Sequence, residues 1–410
     1  MTKKSSKKSL ETLDIETIRN YTHFLALPLK FVGCWDWFIN PNREYEIIAN
    51  HVYLFLVLFV LANLPISLIV HLQTEWVDIM HSLDEIADGL PSVASVAIVA
   101  YFALYKNELY ELINYMNVNF KCHSARGLTN MTMLKSYKAA RNFAFFYTAC
   151  TLFSVTMYVM LPVIVHCIFF TSNAILLCGQ LDLLCCSLRN ARFTALLLQG
   201  VQHSALLAAH KDLLEDERHN YMYNTSEMRD SRYHYDNKLL LNYFLADIYD
   251  LAYDADTSAA LHECARMCQV INEYKAKFEA FVSPLLVLRV VQVTLYLCML
   301  LYAATEKFDM VTVEYLAAVA LDIFVYCYYG SQIILQADRV STAAYQSSWH
   351  TMGPRPRRLL LNILLANRRP IVVRAGKFLP MDLHTFVAII KTSFSYYTLL
   401  VNVNEKGDRK

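Results

Sequence analysis

The chain has 410 residues, of which 56% are apolar, and its formal net charge is +1 at pH 7. Soluble domains average ~45–50% apolar residues even with glycine counted, so the excess here indicates membrane helices. The near-zero net charge argues against a nucleic-acid-binding protein, and we expect no nucleic acid among its partners.

Cysteine and glycine usage argues against several kinds of site. The eleven cysteines include no CxxC pair, so neither a zinc site nor a disulfide framework is indicated. The nine glycines include no phosphate-binding loop, and the chain carries no nucleophile elbow and no HExxH helix. We therefore expect no enzyme, no metal and no cofactor. His262, Cys264 and Cys268 lie close together on a predicted helix, where buried packing is favoured over metal binding.

Residues 1–51 form the N-terminal segment. Met1–Lys8 is rich in lysine and serine, and no short apolar core with a cleavage site follows it, so a signal peptide is not expected. Tyr21–Trp37 either lies at the membrane interface or packs on the chain's own cytoplasmic loops. The aromatic anchors of the first alternative are Trp35, Trp37 and Phe38.

Seven apolar spans predict an all-α membrane protein with seven transmembrane helices, since a helix needs ~20 residues to cross a bilayer. The spans are Val52–Leu72, Leu90–Tyr105, Phe143–Val165, Ala174–Leu188, Val290–Ala304, Tyr315–Leu335 and Phe378–Val401. They divide the chain into helices one to four (residues 52–188), helices five and six (283–335), helix seven (378–401) and a tail (402–410).

The distribution of lysine and arginine predicts the orientation. Residues 1–51 hold seven, 106–141 six, 189–282 ten and 337–377 eight. The alternate connections hold none in 73–89, none in 166–173 and one in 305–314. The N-terminus is therefore expected in the cytoplasm and the C-terminal tail outside. Cys167 and Cys178 flank the second outer loop of this topology and are candidates for a disulfide.

Two cytoplasmic connections are expected to form a helical anchor region, residues 189–282 and 336–377. In the first, Ser187–Leu214 continues as a helix, Glu215–Asp236 is a mobile loop, and helical spacing returns over Lys238–Phe281. In the second, two prolines open an amphipathic helix that Pro370 ends.

The C-terminal part of the chain carries three characteristic segments: Tyr326-Cys327-Tyr328-Tyr329-Gly330; then Pro370, Ala375-Gly376-Lys377-Phe378, Met381 and Phe386; and Ser393-Phe394-Ser395-Tyr396-Tyr397-Thr398-Leu399-Leu400. With these segments the chain resembles the insect odorant receptors. It implies an odorant-binding subunit of a heteromeric, odorant-gated, non-selective cation channel. The implied partners are coreceptor subunits in a heterotetramer, a small volatile organic ligand, the lipid bilayer and permeant cations. The implied location is the plasma membrane of olfactory sensory neurons.

The resemblance also implies sites. A ligand pocket among spans two, three, four and six gives the candidates Thr151, Ser154, Tyr158, Gly179, Val319 and Asp322. The first three belong to a stripe of aromatic and hydroxyl side chains at helical spacing, which is also typical of ordinary helix packing. A pore lined by helix seven gives Tyr397, Leu400 and Val401, which share one helix face.

Three ionisable residues lie in or near the predicted spans. Asp182 and Asp322 are functional candidates because charge at membrane depth is costly, although each also suits a hydrogen-bonded role in folding. Arg289 lies nearer a cytoplasmic end and is expected to extend its charge towards water.

Other classes remain as alternatives. A metabotropic chemoreceptor of the G-protein-coupled kind has the opposite orientation, and a gustatory receptor has a different C-terminal pattern. A secondary transporter, the least favoured, predicts repeated halves with paired broken helices, and the chain has no second half that matches the first.

Overall fold

The computed structural model describes residues 23–38, 43–74, 83–124, 131–152, 157–210, 248–306, 310–368 and 371–407. Eight helices precede the long central gap: α1 (His23–Phe31), α2 (Glu44–Thr74), α3 (Leu83–Leu104), α4 (Lys106–Asn119), α5 (Leu134–Leu152), α6 (Met157–Arg189), α7 (Ala191–Leu198) and α8 (His203–Ala209). After it come α9 (Asp254–Glu306), α10 (Met310–Gln346), α11 (Pro354–Ala366), a hairpin of β1 (Arg374–Ala375) and β2 (Leu379–Pro380), and α12 (Leu383–Gly407).

Within these ranges, four helical stretches are long and apolar enough to cross a membrane. They lie in α2, α6, α9 and α10, and a fifth crossing results if α3 and α4, bent by 68° at their junction, count as one span. The predicted spans one, two, four, five and six fall in α2, α3, α6, α9 and α10. The all-α membrane class is therefore confirmed.

Helix α6 lies at the centre of the bundle. It contacts α3, α5, α9 and α10, and residues 165–174 are all buried. A helix that is surrounded by protein has no side facing water, and accordingly the apolar residues of α6 are distributed around the whole helix. Helix α2, by contrast, packs mainly on α3 and exposes Phe55 (71%) and Phe59 (62%). Such large exposed apolar side chains suit a lipid-facing helix.

The predicted boundary between the third and fourth spans is wrong. The third span was predicted over Phe143–Val165 with an outer loop at residues 166–173, but α6 begins at Met157 and runs through that loop without a break. The apolar run continues across the boundary, so hydropathy alone does not mark the turn. Thr151 and Tyr158 consequently belong to different helices, α5 and α6, and their helical spacing does not place them on one face.

The continuous α6 also excludes the proposed disulfide. Cys167 and Cys178 both lie in this helix and both are free thiols. Eleven residues of helical rise separate them by ~16 Å, far more than the 4.4–6.8 Å between α-carbons that a disulfide spans. The helix predicted over Ser187–Leu214 is also interrupted, because α6 ends at Arg189 and non-helical residues follow α7.

Helix α9 has 53 residues and is ~80 Å long, so it extends well beyond a bilayer. Its first half contacts α4, α7, α11 and β1, and these elements form the anchor region. A buried arginine connects α7 to the start of α9 and, through Asp254, to the residue before α11. Arg192 of α7 is fully buried and donates to Asp254 Oδ1 (3.1 Å), Thr257 Oγ1 (2.9 Å) and two backbone carbonyls. Asp254 Oδ1 also accepts from the Gly353 backbone N–H, just before α11, at 3.1 Å.

The hairpin sets the start of α12. Ala375 pairs with Leu379, and the turn between them has positive φ at Gly376 (59°) and Lys377 (68°). A Cβ at Gly376 would lie 2.8 Å from Val287 Cγ2 of α9, so glycine suits both the backbone and the packing. The seventh helix therefore begins at Leu383 rather than at Phe378, five residues after the predicted start.

Part of the N-terminal segment packs on the chain itself. Cys34 and Trp35 are buried, and the Trp35 ring lies 5.5 Å from the ring of Tyr110 in α4. Lys106 and Asp36 form an ion pair at 2.8 Å beside it. For Trp35, the packing alternative is therefore correct, while Trp37 and Phe38 remain exposed by 38% and 42%.

Candidate functional site

A buried ion pair joins α9 to α10. Arg289 Nε and Nη2 donate to Asp322 Oδ2 at 3.0 and 2.7 Å, and Arg289 Nη1 donates to Gln292 Oε1 at 2.5 Å. Arg289 is 7% and Asp322 9% exposed. The expectation that Arg289 reaches water is therefore wrong, since a carboxylate on the neighbouring helix neutralises it inside the bundle.

Two further polar pairs lie beside the ion pair. Nδ1 of His166 in α6 lies 2.8 Å from the hydroxyl of Tyr326, one helical turn after Asp322. Tyr147 of α5 lies near the Cys167 thiol of α6, which is 4.0 Å from Thr171 Oγ1, and both lie near Asp322 and Arg289. We call these residues the interhelical polar cluster: Tyr147, His166, Cys167, Arg289, Gln292, Asp322 and Tyr326.

The cluster lies well inside the helical bundle. His166 is ~14 Å along α6 from its start, Asp322 ~18 Å along α10 from its start, and Arg289 ~26 Å along α9 from its end. These three helix ends lie on the same side of the bundle because consecutive crossings are antiparallel. Ionisable side chains at such depth cost free energy unless they are paired, which the Arg289–Asp322 contact achieves.

The structure brings together only part of the predicted ligand site. Asp322 belongs to the interhelical polar cluster, and Val319, one turn earlier on α10, packs against Tyr296 and Leu300 of α9. Gly179 lies elsewhere: a Cβ there would meet Ser136 and Met133 at the other end of α5, and thirteen residues, ~20 Å along α6, separate it from His166.

Three of the predicted ligand-site residues have no described side chain. Ser154 lies outside the described residues, and Thr151 and Tyr158 have described backbones only. Asp182 is partly buried on α6.

Helix α12 has one side against its own bundle and one open side. On the packed side, Ser393 Oγ donates to the Thr294 carbonyl of α9 (3.4 Å), and the Phe386 ring lies edge-on to Phe324 of α10 at 5.4 Å. Tyr397 and Val401 are half-buried and follow Ser393 at i+4 and i+8, on this same side. The side chain of Leu400 lies outside the described residues.

The open side of α12 carries a polar stripe between exposed apolar side chains such as Phe394 (55%) and Leu399 (59%). Lys391, Ser395 and Thr398 are all exposed and follow one another at i, i+4 and i+7, so they form one stripe, which we call the α12 polar seam. In helical phase the seam lies opposite Ser393. The Ser395 hydroxyl donates a hydrogen bond to the backbone carbonyl of Lys391 (3.0 Å), and the Thr398 hydroxyl donates to that of Ser395 (2.8 Å).

Comparison with known proteins now identifies the family. The family model described as "7tm Odorant receptor" matches residues 143–394, more than half of the chain and the part that carries the interhelical polar cluster and the beginning of α12. The chain belongs to this odorant receptor family. It is therefore a multi-pass membrane receptor of insect olfaction and not an enzyme.

Individual odorant receptors agree with this assignment. Odorant receptor 83a of Drosophila melanogaster is 22% identical over 367 residues, covering 76% of this chain and 78% of the relative. The structure of the insect olfactory receptor OR5 from Machilis hrabei superposes with a TM-score of 0.69 at 14% identity, covering 95% of this chain and all of that one. The same receptor in complex with eugenol gives a TM-score of 0.68. At this identity the superposition demonstrates a shared fold.

Sequence reasoning about this odorant receptor missed His166 and misjudged Arg289. One signal for Arg289 was present, because an arginine next to a predicted span needs a carboxylate partner and Asp322 was the candidate within span six. For His166 no comparable signal exists, since a histidine in the predicted loop at residues 166–173 looks solvent-exposed.

Proposed function

We propose that the chain is the odorant-binding subunit of a heteromeric, odorant-gated, non-selective cation channel in the plasma membrane of olfactory sensory neurons. In this proposal four subunits surround one pore, and most of them are the shared coreceptor. Membership of the odorant receptor family supports the receptor role, and the eugenol complex of OR5 supports a small volatile as the class of ligand. The subunit arrangement rests on the resemblance to insect odorant receptors.

The α12 polar seam is the observation that carries the channel proposal. Lys391, Ser395 and Thr398 would face lipid in an isolated subunit, where polar groups are costly. Facing a water-filled pore between subunits removes that cost. The seam lies on the side of α12 that its own bundle leaves open, which is the side an assembled ring can turn towards a central axis. We therefore propose that α12 lines the pore.

The residues of α12 predicted from sequence to line the pore are Tyr397, Leu400 and Val401, and this stays a prediction. The half-burial of Tyr397 and Val401 against the subunit's own helices favours the seam as the wetted side. Both arrangements use the same helix, so labelling of introduced cysteines, described in the Discussion, decides between them.

The ligand is proposed to bind inside the helical bundle, next to the interhelical polar cluster. Asp322 and Val319 on α10 then form one wall. Thr151, Ser154 and Tyr158 remain candidates for the opposite wall, because they lie near or between the end of α5 at Leu152 and the start of α6 at Met157. A mostly apolar cavity with a few fixed polar groups is the usual environment for a small volatile.

The N-terminus is proposed to be cytoplasmic and the C-terminus extracellular, on the alternation of lysine and arginine between connections. This orientation opposes a metabotropic receptor of the G-protein-coupled kind. Epitope tags at both ends test it: an N-terminal tag should stain only after permeabilisation and a C-terminal tag before it. The reverse pattern would contradict the proposal.

The channel proposal is tested by expressing the chain with and without an insect coreceptor and recording membrane current. We expect odour-evoked cation current only from the pair, since this chain is proposed to be the odorant-specific subunit. A strong odour-gated current from the chain alone would overturn the heteromer. A second-messenger response without ion current would favour the metabotropic alternative.

A further inference from the structure

One ring nitrogen of His166 has a hydrogen-bond partner and the other has none among the described residues. Its side chain is fully buried in α6, and Nδ1 contacts the Tyr326 hydroxyl at 2.8 Å. Its Nε2 atom is buried and has no hydrogen-bond partner among the residues that the structure describes. A buried polar atom left without a hydrogen bond costs free energy, so His166 Nε2 is a position at which a partner from outside the chain would be stabilised.

The neighbouring polar groups are already engaged with one another. Arg289 is hydrogen-bonded to Asp322 and Gln292, and the Cys167 thiol lies 4.0 Å from Thr171 Oγ1. The two formal charges closest to His166 therefore neutralise each other. A neutral guest suits this environment, because a charged one would add an uncompensated charge at membrane depth. Among the fully buried nitrogen and oxygen atoms of the cluster, His166 Nε2 is the one without a hydrogen-bond partner among the described residues.

We propose that His166 Nε2 binds the hydroxyl group of a small, neutral, volatile alcohol or phenol; this inference rests on the proposed odorant-binding function. The choice of a hydroxyl follows from the tautomers of histidine. If the Tyr326 hydroxyl donates to Nδ1, Nε2 carries the proton and donates to the guest; if Nδ1–H donates to Tyr326, Nε2 accepts. A hydroxyl satisfies either tautomer, whereas an ether or a carbonyl satisfies only the first.

The ring contact between His166 and Tyr326 holds the group in place. The two ring centroids are 5.4 Å apart, and Phe102 packs edge-on to His166 at 6.5 Å. An atom that is fixed by neighbours on both sides offers a hydrogen bond in a defined direction. His166 is thereby a specificity-determining residue, distinguishing guests with a hydroxyl from hydrocarbons of the same shape.

The test uses two odorant pairs of matched shape, 4-ethylphenol with ethylbenzene and 1-octanol with octane. The full chain is expressed with an insect coreceptor, and the EC50 for current is measured for each compound. For whichever pair evokes a current, we expect the hydroxyl member to have a ~5- to 150-fold lower EC50, the effect of one buried hydrogen bond.

Two substitutions separate the ring nitrogens. In His166→Asn the amide occupies the position of Nδ1 and keeps the Tyr326 contact, but nothing reaches the position of Nε2. In His166→Gln the longer side chain places an amide near Nε2. We expect His166→Asn to remove the preference for the hydroxyl member while the hydrocarbon EC50 changes little, and His166→Gln to retain part of the preference. His262→Asn, at an exposed position in the anchor half of α9, is the matched control.

The remaining outcomes each count against the proposal. An undiminished hydroxyl preference in His166→Asn would mean that a buried water occupies Nε2. Equal weakening of both members of a pair would reduce His166 to a packing residue. Silence to all four compounds, in cells that still respond to a coreceptor-directed agonist, would overturn the alcohol or phenol class. Only silence to a broad panel of volatiles would also remove the odorant-binding function.

Discussion

Asp322 of α10 holds Arg289 of α9 by a single carboxylate oxygen, which accepts from two guanidinium nitrogens at 2.7 and 3.0 Å. These helices are the two on which α12 packs, through Thr294 on α9 and Phe324 on α10. The ion pair therefore fixes the spacing of the surface that carries the proposed pore helix, a short distance from the proposed ligand site.

Breaking this ion pair from either side should destabilise the receptor. Arg289→Gln or Asp322→Asn leaves one buried charge without a partner, and we expect each to lower stability by ~3–5 kcal/mol. The double variant leaves no charge and should recover a large part of that loss. Thermal melting of detergent-solubilised, fluorescently tagged protein ranks the stabilities of the two single variants and the double variant. A double variant that is no more stable than the single ones would contradict the pairing.

Gly330 should not tolerate a side chain. A Cβ at Gly330 would lie 1.9 Å from the Met381 carbonyl oxygen, which belongs to the backbone leading into α12 and cannot move aside easily. We expect Gly330→Ala to reduce surface expression severely through overpacking.

Gly89→Ala is the control for this prediction. Its Cβ would lie 2.2 Å from Leu68 Cδ2, the end of a flexible side chain that is able to change rotamer. Comparable surface levels for the two variants would show that α10 and the Met381 segment separate more readily than the structure indicates.

Arg192 should resist even a conservative substitution. Its guanidinium contacts Asp254, Thr257 and two backbone carbonyls while fully buried. A lysine ammonium cannot reach all of these acceptors, so Arg192→Lys should destabilise the anchor region and lower the melting temperature of the detergent-solubilised protein. Arg358→Lys, at an exposed position on α11, should leave the melting temperature unchanged.

Cysteine substitution on α12 should identify its wetted side. Ser395→Cys and Thr398→Cys, in the polar seam, should react with an externally applied, positively charged thiol reagent and change the odour-evoked current. Ser393→Cys, a matched serine that is 1% exposed, should not react. Reaction at Tyr397→Cys, Leu400→Cys and Val401→Cys instead would place water on the face predicted from sequence.

Native thiols are a modest source of background in that experiment. Cys34 lies outside the membrane spans and is 2% exposed, and burial raises the pKa of its thiol above the ordinary value. Because the thiolate is the reactive form, Cys34 should stay unreactive at neutral pH. The chain without an added cysteine provides the baseline current.

The membrane class, the helical content and most of the spans follow from the sequence alone. Apolar runs long enough to cross a bilayer are local features, and no tertiary contact is needed to recognise them. The C-terminal motif was also informative, and the structure supplies physical reasons for it. Gly376 has positive φ against α9, and Gly330 admits the backbone at Met381.

Only the tertiary structure shows where the helices end, which residues form the buried ion pair, and which side of α12 is buried. Within the apolar run from residue 143 to 188, α5 ends and α6 begins at positions that hydropathy does not mark, so Cys167 and Cys178 were predicted to flank an outer loop although both lie in α6. Arg289 and Asp322 are 33 residues apart, and their pairing depends on the rotation of two helices about their axes. Likewise, Tyr397 and Ser395 differ in exposure only because α9 and α10 cover one side of α12. Helical periodicity shows which residues share a face, and packing decides what that face touches.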